Sequence, residues 1–364
     1  MKFLLYCQHL SGAGHFVRTY EIARALAQQH EVYVVDGGLP VPRRSAPITL
    51  VPLPRIRRIA GQVVPVESGA AIESVMRARR VALEDAVSSV DPDVVVVEHF
   101  PFSKGSLQLE VVSMLEASRA RAFCSLRDIA PLTRTDPVEP EETRRLLRRY
   151  FEAVLVHGDP RLITIEEQIE WAASPPVPIA YTGIVSERAP AGAGERRGDV
   201  VLSAGGGAGE KLVPVVLDAW RLLGDSVRTL CVYGSLGGAP DLALPTAPNV
   251  RFEPYGPGFL EALTGADLSI SAAGYNTCAN LLETRAPAIV VPRGSVSDQE
   301  IRARLLAERG LVRVMDADAL DAERLANAMR DTLGRRMPRH NIDLNGAERT
   351  RDTLTAPASP RGTD

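Results

Sequence analysis

The stretch Ser269-Ile-Ser-Ala-Ala-Gly-Tyr-Asn-Thr-Cys-Ala-Asn-Leu-Leu-Glu283 predicts the end of a buried strand, a tight glycine turn and the first turns of a helix. Small residues up to Gly274 let another molecule approach the backbone closely, and the free amides of a helix that begins near Tyr275 attract a phosphate or diphosphate. Asn276 and Thr277 add side-chain donors in the first helical turn. An ordinary strand-to-helix connection has the same pattern, so the neighbouring segments must decide between the two interpretations.

Length and composition limit the possible classes of protein. A chain of 364 residues favours two domains, and its 45% hydrophobic and 24% charged residues are typical of a globular protein. The formal net charge of −3 argues against nucleic acid as the main partner, because binding to a phosphate backbone needs a strongly basic face.

The sequence also indicates a compartment. The N-terminal apolar run at residues 3–7 is too short for a signal peptide, and no apolar run approaches the roughly 20 residues that span a bilayer. The cysteines lie far apart in apolar surroundings, without metal-ligand spacing, as expected of reduced core residues. We therefore expect a cytoplasmic protein.

Strands and helices alternate in both halves of the chain. Residues 3–7 predict a first strand, residues 15–29 a helix, and the four-valine run at 93–97 a central parallel strand. After a small, polar, proline-containing stretch the alternation starts again at residue 200. The predicted organisation is an α/β N-terminal domain at 1–185, a linker at 186–198, an α/β C-terminal domain at 199–338 and a partly disordered tail at 339–364.

The first glycine loop also allows a nicotinamide-dependent enzyme. Gly12 and Gly14 follow the first strand, and Asp36 lies about twenty residues further on, as in a dinucleotide-binding fold. However, Val17 stands where that fingerprint needs its third glycine for close helix packing. The nicotinamide enzyme therefore stays an alternative only.

A second glycine loop, Gly205-Gly-Gly-Ala-Gly209, predicts another phosphate site, although a flexible turn has the same composition. It is not a Walker A loop, because no Ser or Thr is placed to hold magnesium. One diphosphate could bridge this loop and the Gly274 turn. Asp298 and Gln299 follow the next strand and suit hydroxyl groups, so the set favours a nucleotide sugar; both residues could equally be solvated residues that open a helix.

The chain resembles bacterial glycosyltransferases of the two-Rossmann-domain, GT-B kind, close to the group of predicted glycosyltransferases. It is more distantly similar to the N-acetylglucosaminyltransferase that completes the lipid intermediate of peptidoglycan. The stretches that carry the resemblance span roughly residues 3 to 330. They are Gly12-Ala-Gly-His15-Phe-Val-Arg18, Leu126-Arg-Asp-Ile129, Val156-His-Gly-Asp-Pro160, Tyr181-Thr-Gly183, Ser203-Ala-Gly-Gly-Gly207, Ala273-Gly-Tyr-Asn-Thr277, and Val291-Pro-Arg293 with Asp298-Gln299.

The resemblance implies an α/β fold of the GT-B type, with an acceptor half, a donor half and a cleft between them. The donor would be a nucleotide sugar, with UDP-N-acetylglucosamine favoured and a thymidine-linked sugar second, and no cofactor is expected. The acceptor would be a small molecule or a lipid-linked one. The residues implied in binding are Gly205, Gly206, Gly207, Gly274, Tyr275, Asn276 and Thr277 for the diphosphate, Phe252, Asn280 and Glu283 for the nucleoside, Asp298 and Gln299 for the sugar, and Gly12, Gly14 and Arg18 for the acceptor loop.

One departure from the relatives concerns the ribose. Alignment on Pro287 places Asn280 where the relatives have a glutamate, while Glu283 lies one turn further along the helix. Asn280 can accept a hydrogen bond, but the charged acceptor is lost, so the identity of the nucleotide stays open.

The chemistry requires a proton acceptor on the N-terminal half. Helix amides can stabilise the departing diphosphate without a metal, and no Asp-X-Asp metal motif stands at the end of a strand. His15 is the first choice as base because imidazole titrates near neutral pH, and Glu98 and Asp128 are the alternatives. A single displacement would invert the anomeric configuration.

Three other questions stay open. Basic clusters at 55–58, 77–80 and 144–149 could attract an anionic membrane surface, or they are solvated helix faces. A nucleotide-sugar 2-epimerase has the same architecture. A non-catalytic protein that binds a sugar nucleotide or a partner transferase is the third possibility.

Overall fold

Two parallel β-sheets organise the protein, one from each half of the chain. The computed structural model describes all residues except 11, 68, 131–135, 190–198, 204–208, 225–228, 235–248, 257, 295–296 and 358–364. The strands of the first half are β1 (Lys2–Tyr6), β2 (Glu31–Asp36), β3 (Thr49–Pro52), β4 (Ile56–Ile59), β5 (Gln62–Pro65), β6 (Val94–Glu98), β7 (Arg121–Arg127), β8 (Ala153–His157) and β9 (Ile179–Tyr181). Those of the second half are β10 (Asp199–Ser203), β11 (Thr229–Tyr233), β12 (Val250–Glu253), β13 (Ala266–Ser271), β14 (Ala288–Val290) and β15 (Arg313–Val314).

Both sheets have the doubly wound strand order. The first runs β3-β2-β1-β6-β7-β8-β9 and the second β12-β11-β10-β13-β14-β15, with neighbouring strands parallel throughout. In such sheets, ligands bind outside the carboxyl ends of the strands where the order reverses. The reversals lie between β1 and β6 and between β10 and β13, so the loops after these four strands are the candidate ligand loops.

Helices cover the sheets. In chain order they are α1 (Gly14–Leu26), α2 (Ile72–Val90), α3 (Gln108–Ala117), α4 (Pro140–Tyr150), α5 (Gly209–Arg221), α6 (Gly258–Gly265), α7 (Tyr275–Thr284), α8 (Asp298–Ala307), α9 (Ala322–Thr332) and α10 (Gly346–Thr355). Strand β1 shows why its sequence is continuously apolar: Leu4 and Tyr6 pack in one core, and Phe3 and Leu5 in another on the opposite face. The predicted α/β fold with two Rossmann-like sheets is confirmed.

The C-terminal segment contains a helix that the sequence did not predict. Within the segment 339–364, residues 346–355 form α10, and its Ala347 and Leu354 pack in the same core as Phe16 and Ile22 of α1. The described part of the chain therefore ends beside the first sheet, although the strands of the second sheet come before it in the sequence. Of the predicted linker, residues 190–198 lie outside the described part, and the domain boundaries stay predictions.

A buried ion pair joins the helices on one face of the first sheet to β1. The Arg79 guanidinium, which is 0% exposed, donates from Nε to Glu110 Oε2 at 2.9 Å and also donates to Gln8 Oε1 at 2.8 Å. Tyr6 donates its hydroxyl proton to Glu110 Oε1 at 2.5 Å. The Arg79 guanidinium and the Glu110 carboxylate therefore both have hydrogen-bond partners, which is the condition for burying an ion pair.

Removal of one partner of this pair tests its contribution. Arg79→Met leaves the Glu110 carboxylate buried without a cation, and we expect the free energy of unfolding to fall by about 3–5 kcal/mol, as for other broken buried pairs. Urea denaturation measures it. The matched control is Arg77→Met on the exposed side of the same helix, which should change stability by less than about 0.5 kcal/mol. Equal losses in the two variants would contradict this role.

Candidate active site

The reversal points of the two sheets meet at the starts of α1 and α7. Asn276, in the first turn of α7, donates from Nδ2 to the backbone oxygen of Gly14 at 2.9 Å. The N-cap of α7 is Gly274, and no side chain caps its amides, whereas Ser297 caps α8 and Asp321 caps α9. An uncapped helix start at this position retains the free amides that bind anions.

His15 and Glu98 form a pair beside this contact. His15 Nδ1 lies 2.5 Å from Glu98 Oε1. Glu98 ends β6 and is 0% exposed, and its two carboxylate oxygens also accept hydrogen bonds from Arg18 and Lys104. Glu98 is therefore enclosed by the protein and cannot contact an acceptor itself. Of the sequence's candidate bases, it is the one that orients His15.

The charges around Glu98 fix its protonation state. Burial opposes ionisation, yet His15, Lys104 and His99 hold the pKa of Glu98 well below its usual range. A permanent carboxylate at Nδ1 selects the tautomer of His15 that carries its proton on Nδ1. Nε2 then keeps a free electron pair, as a general base requires.

His15 is neutral at physiological pH. Burial, with smaller contributions from Lys104 and Arg18, lowers the pKa of His15 to about 4 against the opposing effect of Glu98. The side chain nevertheless retains 28% exposure, so a substrate can reach it. His15 can thus accept a proton at neutral pH without first having to lose one.

A metal ion fits this cluster poorly. His15, Glu98 and His99 offer three ligand atoms within 4.8 Å of one another. Arg18 and Lys104, however, already bind both oxygens of Glu98, so a divalent cation would have to displace two positive charges. The expectation of metal-independent chemistry stays a prediction.

Asp128 and Asp298 belong to ion pairs that cross the cleft. Arg302 of α8 donates to both oxygens of Asp128, each at 2.8 Å, and to the backbone oxygen of Ala273 at 2.8 Å. Asp298 lies 3.3 Å from both Arg302 and Arg127. In this structure Asp128 is therefore not available as a base. Both arginines contact Oδ2 of Asp298, whose side chain is 23% exposed.

The Tyr275 side chain lies in the contact between the two sheets. Its buried hydroxyl donates to His157 O and accepts from the amide of Val185, each at 2.8 Å. The guanidinium carbons of Arg18 and Arg302 lie 5.2 and 5.7 Å from the centre of its ring, within the range of cation–π attraction. The Tyr275 side chain is thus fully engaged in the contact between the two sheets, and a role of Tyr275 at the diphosphate, through its backbone amide, stays a prediction.

The three residues predicted to bind the nucleoside lie in different environments. Glu283 accepts from the amide of Ala189 at 3.1 Å and lies 3.5 Å from Arg188, so its carboxylate is bound to the segment between the sheets. The Phe252 side chain packs into a core of the second sheet. Asn280 is half-buried on α7.

The remaining predicted ligands lie in loops. Gln299 accepts from the amide of Arg293 at 3.1 Å and so closes its own loop. Thr277 lies half-buried in the first turn of α7, and Gly12 has a positive φ of 76° in the turn before α1. Gly205, Gly206 and Gly207 lie outside the described residues.

Sequence reasoning missed Lys104, Arg127 and Arg302. Each is a cation that neutralises a carboxylate at the edge of a sheet. Arg302 is buried, although its helix looks solvated from its composition, and its partner is 174 residues away. The sequence signal that could have pointed to these cations is the set of acidic residues at strand ends, because each of their carboxylates needs a cation once it is buried.

Comparison with known proteins agrees with this geometry. Residues 201–349 match the model of the glycosyltransferase family 28 C-terminal domain. A stretch of 87 residues is 38% identical to the UDP-N-acetylglucosamine--N-acetylmuramyl-(pentapeptide) pyrophosphoryl-undecaprenol N-acetylglucosamine transferase of Desulforamulus reducens, covering 23% of each chain. The match therefore spans less than a quarter of the length of this curated relative.

Solved structures match over nearly the whole chain. The spinosyn forosaminyltransferase SpnP superposes with a TM-score of 0.60 at 17% identity, covering 97% of this chain and 93% of that one. MurG of Acinetobacter baumannii gives 0.54 at 16% identity, covering 97% and 99%. The solved structures confirm the predicted GT-B fold. The match over residues 201–349 relates the second part of the chain to glycosyltransferase family 28 C-terminal domains.

No helix in the described part of the chain is long and apolar enough to cross a lipid bilayer.

The ionisation of His15 can be measured by proton NMR. We expect its imidazole to titrate with a pKa of about 4, and to titrate lower still in Glu98→Gln, because the carboxylate raises this pKa. His15→Gln assigns the resonance, and His30 at the other end of α1 is the internal reference. A His15 pKa near the ordinary 6.5, or a rise in Glu98→Gln, would contradict the described pair.

Proposed function

We propose that the protein transfers a sugar from a nucleoside diphosphate donor to an acceptor hydroxyl, without a metal and with inversion at the anomeric carbon. The main support for this proposal is the hydrogen bond from Asn276 to the backbone oxygen of Gly14. It brings the His15–Glu98 pair of one sheet beside the uncapped start of α7 on the other.

His15 acts as the general base in this proposal. The acceptor oxygen attacks the anomeric carbon and its proton passes to Nε2 of His15, while Glu98 stabilises the imidazolium that forms. The bond between the anomeric carbon and the diphosphate oxygen breaks, and the nucleoside diphosphate leaves with the electron pair. Attack opposite the leaving group inverts the configuration.

The donor half stabilises the leaving group. Charge that develops on the diphosphate meets the amides at the start of α7, where Asn276 and Thr277 begin the helix. The sequence assigns Gly205, Gly206 and Gly207 to the same group. Around the base, Arg18 and Lys104 face the single carboxylate of Glu98, and this excess of positive charge favours an anionic donor.

UDP-N-acetylglucosamine is the proposed donor, because the Desulforamulus relative is named for it and its 87-residue match is the supporting observation. The acceptor is a small or lipid-linked hydroxyl compound. A cytoplasmic location suits such a donor. We propose no resident cofactor.

Nucleotide binding is tested by thermal denaturation. Saturating UDP should raise the Tm, and a hundredfold excess over Kd corresponds to about 2.7 kcal/mol of stabilisation. TDP is the control for the base and UMP the control for the second phosphate. No shift with any nucleotide or nucleotide sugar would contradict donor binding.

Substitution of the pair tests the chemistry. His15→Ala and Glu98→Gln should each lower kcat by about 10²–10⁴-fold with little change in the KM for the donor, because the base acts on the acceptor. His30→Ala, at a half-buried position after the end of α1, is the control and should leave kcat unchanged. NMR of the product should show the inverted anomer. Retained configuration, or UDP-sugar turnover without an acceptor, as in a 2-epimerase, would contradict the proposal.

A further inference from the structure

A pocket of about 240 Å³ opens where three distant segments of the chain meet. The first segment, 159–162, follows β8; the second, 309–311, follows α8; and the third, 339–342, leads from α9 towards α10. The structure also describes the residues on both sides of each segment. None of these lining residues belongs to the active site described above.

The pocket lies at a junction between the two halves of the chain. Arg309 donates from Nη2 to the backbone oxygen of Arg161 at 2.7 Å, and Arg161 donates from Nη2 to the backbone oxygen of Asn341 at 2.5 Å. Leu162 of the first half packs against the core that contains Leu311 of the second half. A ligand in the pocket therefore contacts both halves at once.

The described lining contains one carboxylate, and it is already neutralised. Asp159 is 3% exposed and accepts from Nε and Nη2 of Arg161 at 2.9 and 2.5 Å. It also accepts from the backbone amides of Arg161 and Asp343 at 2.9 and 2.8 Å. Burial opposes ionisation, but these hydrogen bonds hold the pKa of Asp159 below its usual range. Asp159 thus balances the charge of Arg161 alone.

The other two arginines of the pocket have no carboxylate partner among the described residues. Arg309 donates to the backbone oxygens of Leu305, at 2.8 Å, and of Arg161. Arg339 is exposed and makes no hydrogen bond or ion pair within the described part of the chain. Three arginines against one carboxylate leave the described lining with an excess of two positive charges.

The charge and the size of the pocket point to a small anion. A concave surface with excess positive charge attracts anions, and guanidinium groups present paired N–H donors that match the oxygens of a phosphate. The volume lies below the range of about 300–1,000 Å³ that is typical of pockets for whole organic ligands. The pocket therefore suits a single phosphate group and not an entire nucleotide sugar.

We propose that this pocket binds a phosphate group through Arg309 and Arg339. The bound anion links the segment after α8 to the segment that leads to α10, and so stabilises the junction between the two halves. The site is separate from the proposed donor site and does not depend on glycosyl transfer. The phosphate is either that of a small soluble molecule or that of a lipid headgroup.

Calorimetric titration of the full chain with inorganic phosphate, at constant ionic strength, tests the site. Arg339→Gln should weaken binding at least tenfold, because it removes one of the two unpaired cations without removing a described contact. Arg309→Gln should have an effect of the same size. The matched control is Arg335→Gln, which removes an exposed charge from the same segment outside the described lining and should change the affinity less than twofold. Absence of phosphate binding, or equal binding in the wild type and Arg339→Gln, would overturn the proposal.

Hydrogen exchange tests the effect on the junction. The amide of Asp343 donates to Asp159 directly after the third segment, and we expect it to exchange at least threefold more slowly in saturating phosphate. Arg339→Gln should abolish this protection. Unchanged exchange at Asp343 in the wild type would refute the stabilised junction.

Two vesicle preparations distinguish the sources of the phosphate. Co-sedimentation with phosphatidylcholine vesicles that contain phosphatidic acid, but not with phosphatidylcholine alone, assigns the site to a lipid headgroup if Arg339→Gln abolishes it. Phosphate binding without co-sedimentation assigns the site to a soluble molecule.

UDP binding in the same variants separates this site from the donor site. Arg339→Gln should keep the rise in Tm that UDP causes. Loss of both phosphate and UDP binding in this variant would refute a second site. A wild-type protein that binds phosphate in this pocket but does not respond to nucleotides supports the site and refutes the donor assignment alone.

Discussion

The buried guanidinium of Arg302 ties the two sheets together. It holds both oxygens of Asp128 on the first sheet and the backbone oxygen of Ala273 on the second, immediately before the start of α7. Separation of these partners would leave a buried charge without its counterion, which costs several kcal/mol. The helix start is therefore held at one position against Gly14, with the His15–Glu98 pair beside it.

Glu98 and His15 differ in the chemistry that they can perform, because Glu98 is enclosed by the protein and His15 is accessible. Glu98 is enclosed and permanently ionised, so it can orient and stabilise but cannot react with an acceptor. His15 keeps part of its ring exposed and stays neutral, so it can take a proton. The start of α7, like those of α1 and α4, carries no capping side chain, so its first amides are not bound by one.

Local patterns predicted the parts of the fold that depend on local physics. The four-valine run identified β6 as a central strand, and the glycine turn before Tyr275 identified a strand-to-helix connection. Prediction was poorer where distant partners decide. The hairpin of β4 and β5 lies in a proline- and arginine-rich stretch whose composition does not predict paired strands, and α10 is too polar to show from composition that Leu354 packs in the same core as α1.

The same limit explains the site. His15 and Glu98 stood out because each follows a strand at the carboxyl edge, but their pairing is a contact over 83 positions. Asp128 was an alternative base on the same footing as Glu98, and only the three-dimensional placement of Arg302 shows that both of its carboxylate oxygens are occupied. A carboxylate at a strand end thus predicts the edge of the site, and its counterion decides whether it is available to a substrate.

A crystal structure with UDP bound tests the central claim most directly. We expect the terminal phosphate within hydrogen-bond distance of the backbone amides of Asn276 and Thr277. His15 should lie on the opposite side of the space that the sugar would fill, and the Asn276–Gly14 contact should be retained. A diphosphate bound away from the start of α7, or a complex in which α7 has moved away from His15, would contradict it.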